Sequence, residues 1–135
     1  MLTILVDENI EGYAEYLSRL LFSSTWSDIS SLLGLRIVKF EESGLVKGTH
    51  DEQVWEFCQQ QHFYLITDNR NRDKPDSLES MIRTRNLRTS LPVFTISDIK
   101  RFRSDRDYVE AVVAKLLDYL VDADNILGTG RLYLP

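Results

Sequence analysis

Four short, largely apolar stretches divide the chain, and each gives way to a polar residue before a helix-patterned segment begins. They are Leu2–Val6, Leu35–Phe40, Phe63–Ile66 and Leu91–Ile96, all too short for stable helices and rich in Leu, Ile, Val and Phe. Runs of this length and composition predict buried strands. Pro92 is tolerable because it lies near the start of its run. Between the runs, apolar residues recur at helical spacing. Ile10, Tyr13, Ala14, Leu17, Leu20 and Leu21 fall on one face, with Glu11, Glu15 and Arg19 on the other. Val54, Phe57 and Cys58 predict a second helix, opened by a capping box at Thr49-x-x-Glu52. A third begins near Ser77 after Pro75, and Ser97 or Asp98 caps a short helical turn. The clearest amphipathic helix carries Tyr108, Val109, Val112, Val113, Leu116, Leu117 and Leu120. Ser23–Ser31 reads as a Ser-rich break, and Leu132–Leu134 as a fifth short strand after Gly128 and Gly130. Strands alternating with helices predict βαβ units. The expected fold class is therefore α/β: one three-layer α/β/α domain over residues 1–135, with a mostly parallel sheet of about five strands.

The 135 residues suffice for one domain with a substantial core, and are too few for two ordinary ones. The single cysteine, Cys58, excludes an internal disulfide and a cysteine-built zinc site. The two histidines, His50 and His62, lack a metal-ligand spacing. No apolar segment approaches the roughly 20 residues needed to span a bilayer. MLTILVDENI has no basic segment of the kind that opens a signal peptide, so the expectation is a cytoplasmic protein. The net charge is −5, yet ten basic and six acidic residues fall between Asp68 and Arg106. A basic segment on an acidic chain fits a local anion-binding surface, and fits equally the exposed faces of two helices.

In open parallel sheets, ligands bind beyond the carboxyl ends of the strands, near a reversal of strand order. Asp7, Glu8 and Asn9 follow the first predicted strand. Thr67, Asp68 and Asn69 close the third, and Ser97 and Asp98 follow the fourth. Asp51 and Glu52 open the helix before the third strand. Carboxylates that converge on one edge repel each other unless a cation compensates. Oxygen-preferring Mg²⁺ or Mn²⁺ is the metal for which the chain has enough ligands. Each acid also has a structural reading. Asp7 can cap the helix behind it, Asp51 and Glu52 suit a helix N-terminus, and Asp73 and Asp76 suit a turn containing proline. Arg70 and Arg72, beside that edge, suit phosphate recognition.

The order of these motifs resembles that of small PIN-like proteins, toxin-like relatives of toxin–antitoxin ribonucleases. The likeness rests on a strand ending in Asp7-Glu8-Asn9, Thr49-His50-Asp51-Glu52 at the head of a helix, and a strand closing in Thr67-Asp68. It implies a PIN-like sheet and Mg²⁺- or Mn²⁺-dependent cleavage of single-stranded RNA. On that basis Asp7, Asp51 and Asp68 are the expected catalytic residues and, with Asn69, the expected metal ligands. Glu8, Asn9, Glu52, Asn71, Asp73 and Asp98 form an outer set. Arg70, Arg72, Lys100, Arg101 and Arg103 are the expected phosphate contacts. The resemblance further implies an antitoxin protein as partner and a homodimer, with Tyr13, Tyr16 and Trp26 as candidate interface aromatics.

The chain departs from the family pattern after its third strand. Acids are expected at positions 69 and 71, where this sequence has Asn69 and Asn71, and Asp68 stands one residue early. An asparagine lends an oxygen but no charge, and a one-residue shift at a strand end turns the side chain elsewhere. A second reading follows, of a catalytically weakened PIN-like module that binds RNA or a protein without cutting. A receiver-like signalling domain is a third, and the lack of a lysine after the last strand argues against it.

Overall fold

A computed structural model describes residues 1–71 and 74–135. Its five strands are β1 (Leu2–Val6), β2 (Leu35–Val38), β3 (Phe63–Thr67), β4 (Val93–Ile96) and β5 (Arg131–Leu134). They form one sheet in the order β2-β1-β3-β4-β5, every neighbouring pair parallel. The chain steps from β1 to β2 on one side and returns to β3 on the other. The order therefore reverses between β1 and β3, where Val6 lies opposite Ile66.

Two cores cover the sheet. Ile4, Val6, Tyr64, Ile66, Phe94, Ile96 and Leu134 face α1 (Ala14–Leu21) and the long α6 (Arg106–Val121). Leu5, Val38, Leu65 and Val93 face α3 (Asp51–Gln61) and α4 (Leu78–Arg85). Alternate residues of one strand thus serve opposite faces, which is why the runs read as continuously apolar. The last connection differs from its predecessor. It steps in the same direction as β3 to β4, yet α6 lies on the opposite face from α4, so the two crossovers have opposite hands. No described helix is long and apolar enough to cross a membrane.

Most predicted elements are present, with shifted ends. Strand pairing begins at Val93 rather than Leu91 and stops at Val38 rather than Phe40. The first helix is divided. Glu8–Tyr13 is 3-10 helix with a non-helical break at Ile10, and regular α-helix starts only at Ala14. The serine-rich break contains a short helix, α2 (Ser27–Leu32). The expected capping box does not form. His50 is the N-cap of α3 and its side chain makes no capping hydrogen bond, while Thr49 Oγ1 donates back to the Val46 carbonyl. Glu52 pairs instead with Arg85 Nη2 at 3.0 Å, because α4 packs alongside and brings a cation within reach. Ser77 and Asp98 cap α4 and α5 (Ile99–Ser104) as expected. Tyr13 and Tyr16 pack edge-on against Phe102, and Trp26 Nε1 donates to Glu110 at 3.0 Å. These three aromatics are half-buried against the protein's own core.

Candidate functional site

Asp7 is the centre of the carboxylate edge. Its backbone N–H donates to the Ile66 carbonyl at 3.0 Å, which extends the β1–β3 ladder one residue past the strand. The side chain is therefore held at the reversal point, where it is only 9% exposed. Oδ1 accepts from the Glu8 N–H at 2.8 Å, so Asp7 does cap the 3-10 helix behind it. Oδ2 accepts from the fully buried Thr67 hydroxyl at 2.6 Å. The capping and site roles use different oxygens of one carboxylate and do not compete.

Burial is the largest influence on this carboxyl and pushes its pKa up. The Thr67 and Glu8 hydrogen bonds oppose that, and the nearby charges of Asp51 and Asp68 raise it further. Among the described residues, no lysine or arginine is among the groups acting on it.

Thr67 links the acids together. Its Oγ1 also accepts from the Asn69 N–H at 3.0 Å, which turns the chain sharply after β3. The Asn69 side chain then donates from Nδ2 to Asp51 Oδ2 at 3.0 Å, while its Oδ1 accepts from the Asn71 N–H at 3.0 Å. Asp51 Oδ2 accepts a second, longer bond from the Leu78 N–H at 3.3 Å, in the first turn of α4. Asp68 is tied by Asn9, whose Nδ2 donates to its Oδ1. Asn9 and Asn69 thus present amide donors to the two acids that flank Asp7, an arrangement with no extra negative charge.

Several predicted residues are brought to this edge and others are not. Asp7, Asp51, Asp68, Asn69 and Asn9 converge on it. Glu8 turns away and accepts from the Gly48 N–H, fastening the loop before α3. Asp98 is the N-cap of α5, with Oδ1 accepting from the Arg101 N–H. Arg101 pairs with Asp105 at 2.9 Å and lies over the Tyr108 ring, and Arg103 donates to the Tyr13 hydroxyl. Both arginines are exposed on α5 and make these contacts within the chain, and Lys100 is exposed on the same helix. Arg70 reaches from the end of β3 to the Ser97 carbonyl at 3.3 Å. Arg72 and Asp73 lie outside the described residues. Sequence reasoning missed Thr67 as the joint of the network and Arg131 as its support. Arg131 Nη1 donates to the Asn69 carbonyl at 2.9 Å from two strands away. A threonine closing a strand before an acid was a visible signal, while nothing local marked the arginine.

The oxygen-rich donor set suits a hard divalent ion in kind and in charge. Among the described residues, no three histidine, cysteine or carboxylate side chains are gathered into a ready cage. Mg²⁺ commonly needs only one or two carboxylates and keeps several waters, so the spread of these acids fits that mode of binding.

Compared with known proteins, the chain matches no family model, no curated protein and no solved structure.

Proposed function

We propose that the protein is a PIN-like, divalent-metal-dependent ribonuclease acting on single-stranded RNA. One observation carries the reading. Asp7 is a buried carboxylate at the strand-order reversal, pressed by Asp51 and Asp68, and among the described residues no lysine or arginine is paired with it. A carboxylate kept for structure alone is normally paired with a cation when buried. A site for an external cation accounts for the arrangement. Asp7, Asp51, Asp68 and Asn69 would be the residues that hold a Mg²⁺ or Mn²⁺ ion. Bound there, the ion would stabilise charge on a phosphodiester and lower the pKa of an attacking water. Thr67 fixes the orientation of the Asp7 carboxylate, and burial excludes competing solvent from its inner oxygen. Asn69 positions Asp51 and couples it to the loop after β3. Arg70 faces the same edge and supplies a guanidinium for the phosphate.

The test is cleavage of a labelled single-stranded RNA by the full chain with Mg²⁺ or Mn²⁺. Chelator and the Asp7→Asn variant should each abolish product. Persistent cleavage in either case refutes the assignment. The same reading makes the chain the toxin member of a toxin–antitoxin pair. Its test is neutralisation of that cleavage by the protein encoded beside it.

A second reading has its own support: the Asn9 and Asn69 amides already satisfy the acids flanking Asp7. On that reading the module binds RNA without cutting it. RNA binding in chelator, with no cleavage under any divalent ion, would select it.

A further inference from the structure

Beyond the carboxylates, the β5 side of the sheet carries a group of charges of which the proposed chemistry uses only Arg70. Arg131 lies on the outermost strand, yet its side chain is only 5% exposed. Nε donates to Glu79 Oε1 at 3.1 Å, and Nη1 donates to Thr95 Oγ1 at 2.6 Å as well as to the Asn69 carbonyl. Nη2 is buried and has no hydrogen-bond partner among the described residues. An unmet donor on a buried cation is costly. One carboxylate, Glu79, offsets this charge, and it is shared with Arg83, whose Nε stands 3.4 Å away.

A cavity of about 420 Å³ opens beside this group, lined by Arg70, Glu79, Arg83 and Tyr133. No carboxylate among the described residues forms an ion pair with Arg70. Among the described residues, three arginines in and beside the cleft stand against one glutamate, an excess of positive charge. Tyr133 is 50% exposed, so a large aromatic side chain is accessible within an anion-attracting cleft. Guanidinium groups match phosphate geometry, and an exposed ring offers a stacking platform to any base. The cleft is also joined to the carboxylate edge, since Arg131 binds the carbonyl of the same Asn69 that holds Asp51.

We propose that this cleft is a nucleotide subsite for single-stranded RNA, with a phosphate held by Arg70 and Arg83 and its base stacked on Tyr133. The choice of RNA rests on the function proposed above, while binding here requires neither metal nor cleavage. The experiment is fluorescence anisotropy of a labelled oligouridylate with the full chain in chelator. Arg83→Gln should weaken binding about tenfold and reduce the slope of log affinity against log salt by about 0.7, the loss of one phosphate contact on a single strand. Tyr133→Ser should weaken it about tenfold through lost stacking, while Tyr133→Phe binds as wild type does. An abasic oligomer should keep its dependence on Arg83 and lose its dependence on Tyr133. Arg83 and Tyr133 are well exposed, so thermal melts of these variants should match wild type. Wild-type affinity in both Arg83→Gln and Tyr133→Ser, or equal loss of abasic and normal RNA in Tyr133→Ser, overturns the proposal. The two readings fail separately. Cleavage absent with Arg83- and Tyr133-dependent binding intact removes only the nuclease. Metal-dependent cleavage with binding indifferent to those residues removes only the subsite.

Discussion

Replacing Thr67 by valine tests whether its hydroxyl is the joint of the carboxylate network. The side chain is fully buried, so Thr67→Val keeps the volume and exchanges one hydroxyl for a methyl. Two hydrogen bonds disappear: the donation to Asp7 Oδ2 and the acceptance from the Asn69 N–H. The first is charge-assisted and is worth about 1.5–3 kcal/mol, and leaving a half-buried N–H unmet adds about 1 kcal/mol. The expected loss at pH 7 is therefore about 3 kcal/mol, a large part of the roughly 5–15 kcal/mol that holds a domain folded. Urea denaturation should show a lower midpoint with an unchanged slope.

The pH dependence has a definite sign. The Asp7 carboxyl already lies above its ordinary value because it is buried, and the Thr67 bond is the larger of the two that oppose the rise. Without that bond it rises further, and the folded variant takes up a proton more readily than the unfolded chain. Where the folded state binds more protons, stability falls as pH rises. The variant's deficit should thus be greatest at neutral pH and shrink at acid pH, as protonation of Asp7 leaves only neutral bonds at stake. A cycle with Asp7→Asn should give a coupling of about 1 kcal/mol or more, as contacting residues do. A loss below about 0.5 kcal/mol, or an equal loss at both pH values, would show that the hydroxyl does not support the acid.

Four further outcomes are expected. Asp7→Asn removes a disfavoured buried charge, so without added ions it should be as stable as wild type or more so at pH 7. Mn²⁺ should raise the melting temperature of wild type but not of this variant, and a response in both would place the ion elsewhere. Asn69→Asp replaces the amide donor on Asp51 by a like charge, and should cost about 1–2 kcal/mol in chelator and recover with Mn²⁺; denaturation with and without the ion decides it. Gly128 has φ near +81°, and a Cβ there would stand 2.8 Å from the Arg88 carbonyl oxygen, so Gly128→Ala should cost about 2 kcal/mol or more in a urea titration. Cys58 is buried and its thiol is pushed well above the usual range by burial, so a thiol reagent should label it only as the chain unfolds.

Much of the fold was legible because its signals are local. Short apolar runs separated by helical spacing suffice for an α/β reading, since strands buried on both faces cannot alternate and helices packed on one face must. The long helix ending in Leu116, Leu117 and Leu120 needed no more than its period. Boundaries were less legible, because pairing rather than hydropathy ends a strand. Phe40 continues the apolar pattern of β2, yet it lies in a 3-10 turn with its ring fully buried in the α3 core. The capping box at Thr49 failed for a similar reason. The helix takes His50 rather than Thr49 as its N-cap, and Arg85 on another helix pairs with Glu52.

The sequence by itself determined that acids would stand at strand ends. Aspartate is poor inside a strand, and Asp7 and Asp68 each follow an apolar run. Only the tertiary structure decided which of them meet and in what state. Strand order is a long-range choice, and it set β1 beside β3, so that Asp7, Thr67 and Asp68 share one edge. Burial, which no residue type specifies, raised the Asp7 carboxyl. The partition of the arginines was equally non-local. Arg101 and Arg103 lie in the most basic stretch of the chain, and folding brings them against Asp105 and the rings of Tyr108 and Tyr13. Arg131, isolated in sequence, is folded against Glu79 and Asn69, and its buried guanidinium adjoins the one cleft where arginines and an exposed tyrosine are found together among the described cavities. Local pattern fixes what a segment can be, whereas the desolvation and pairing of a charge depend on neighbours that only folding supplies.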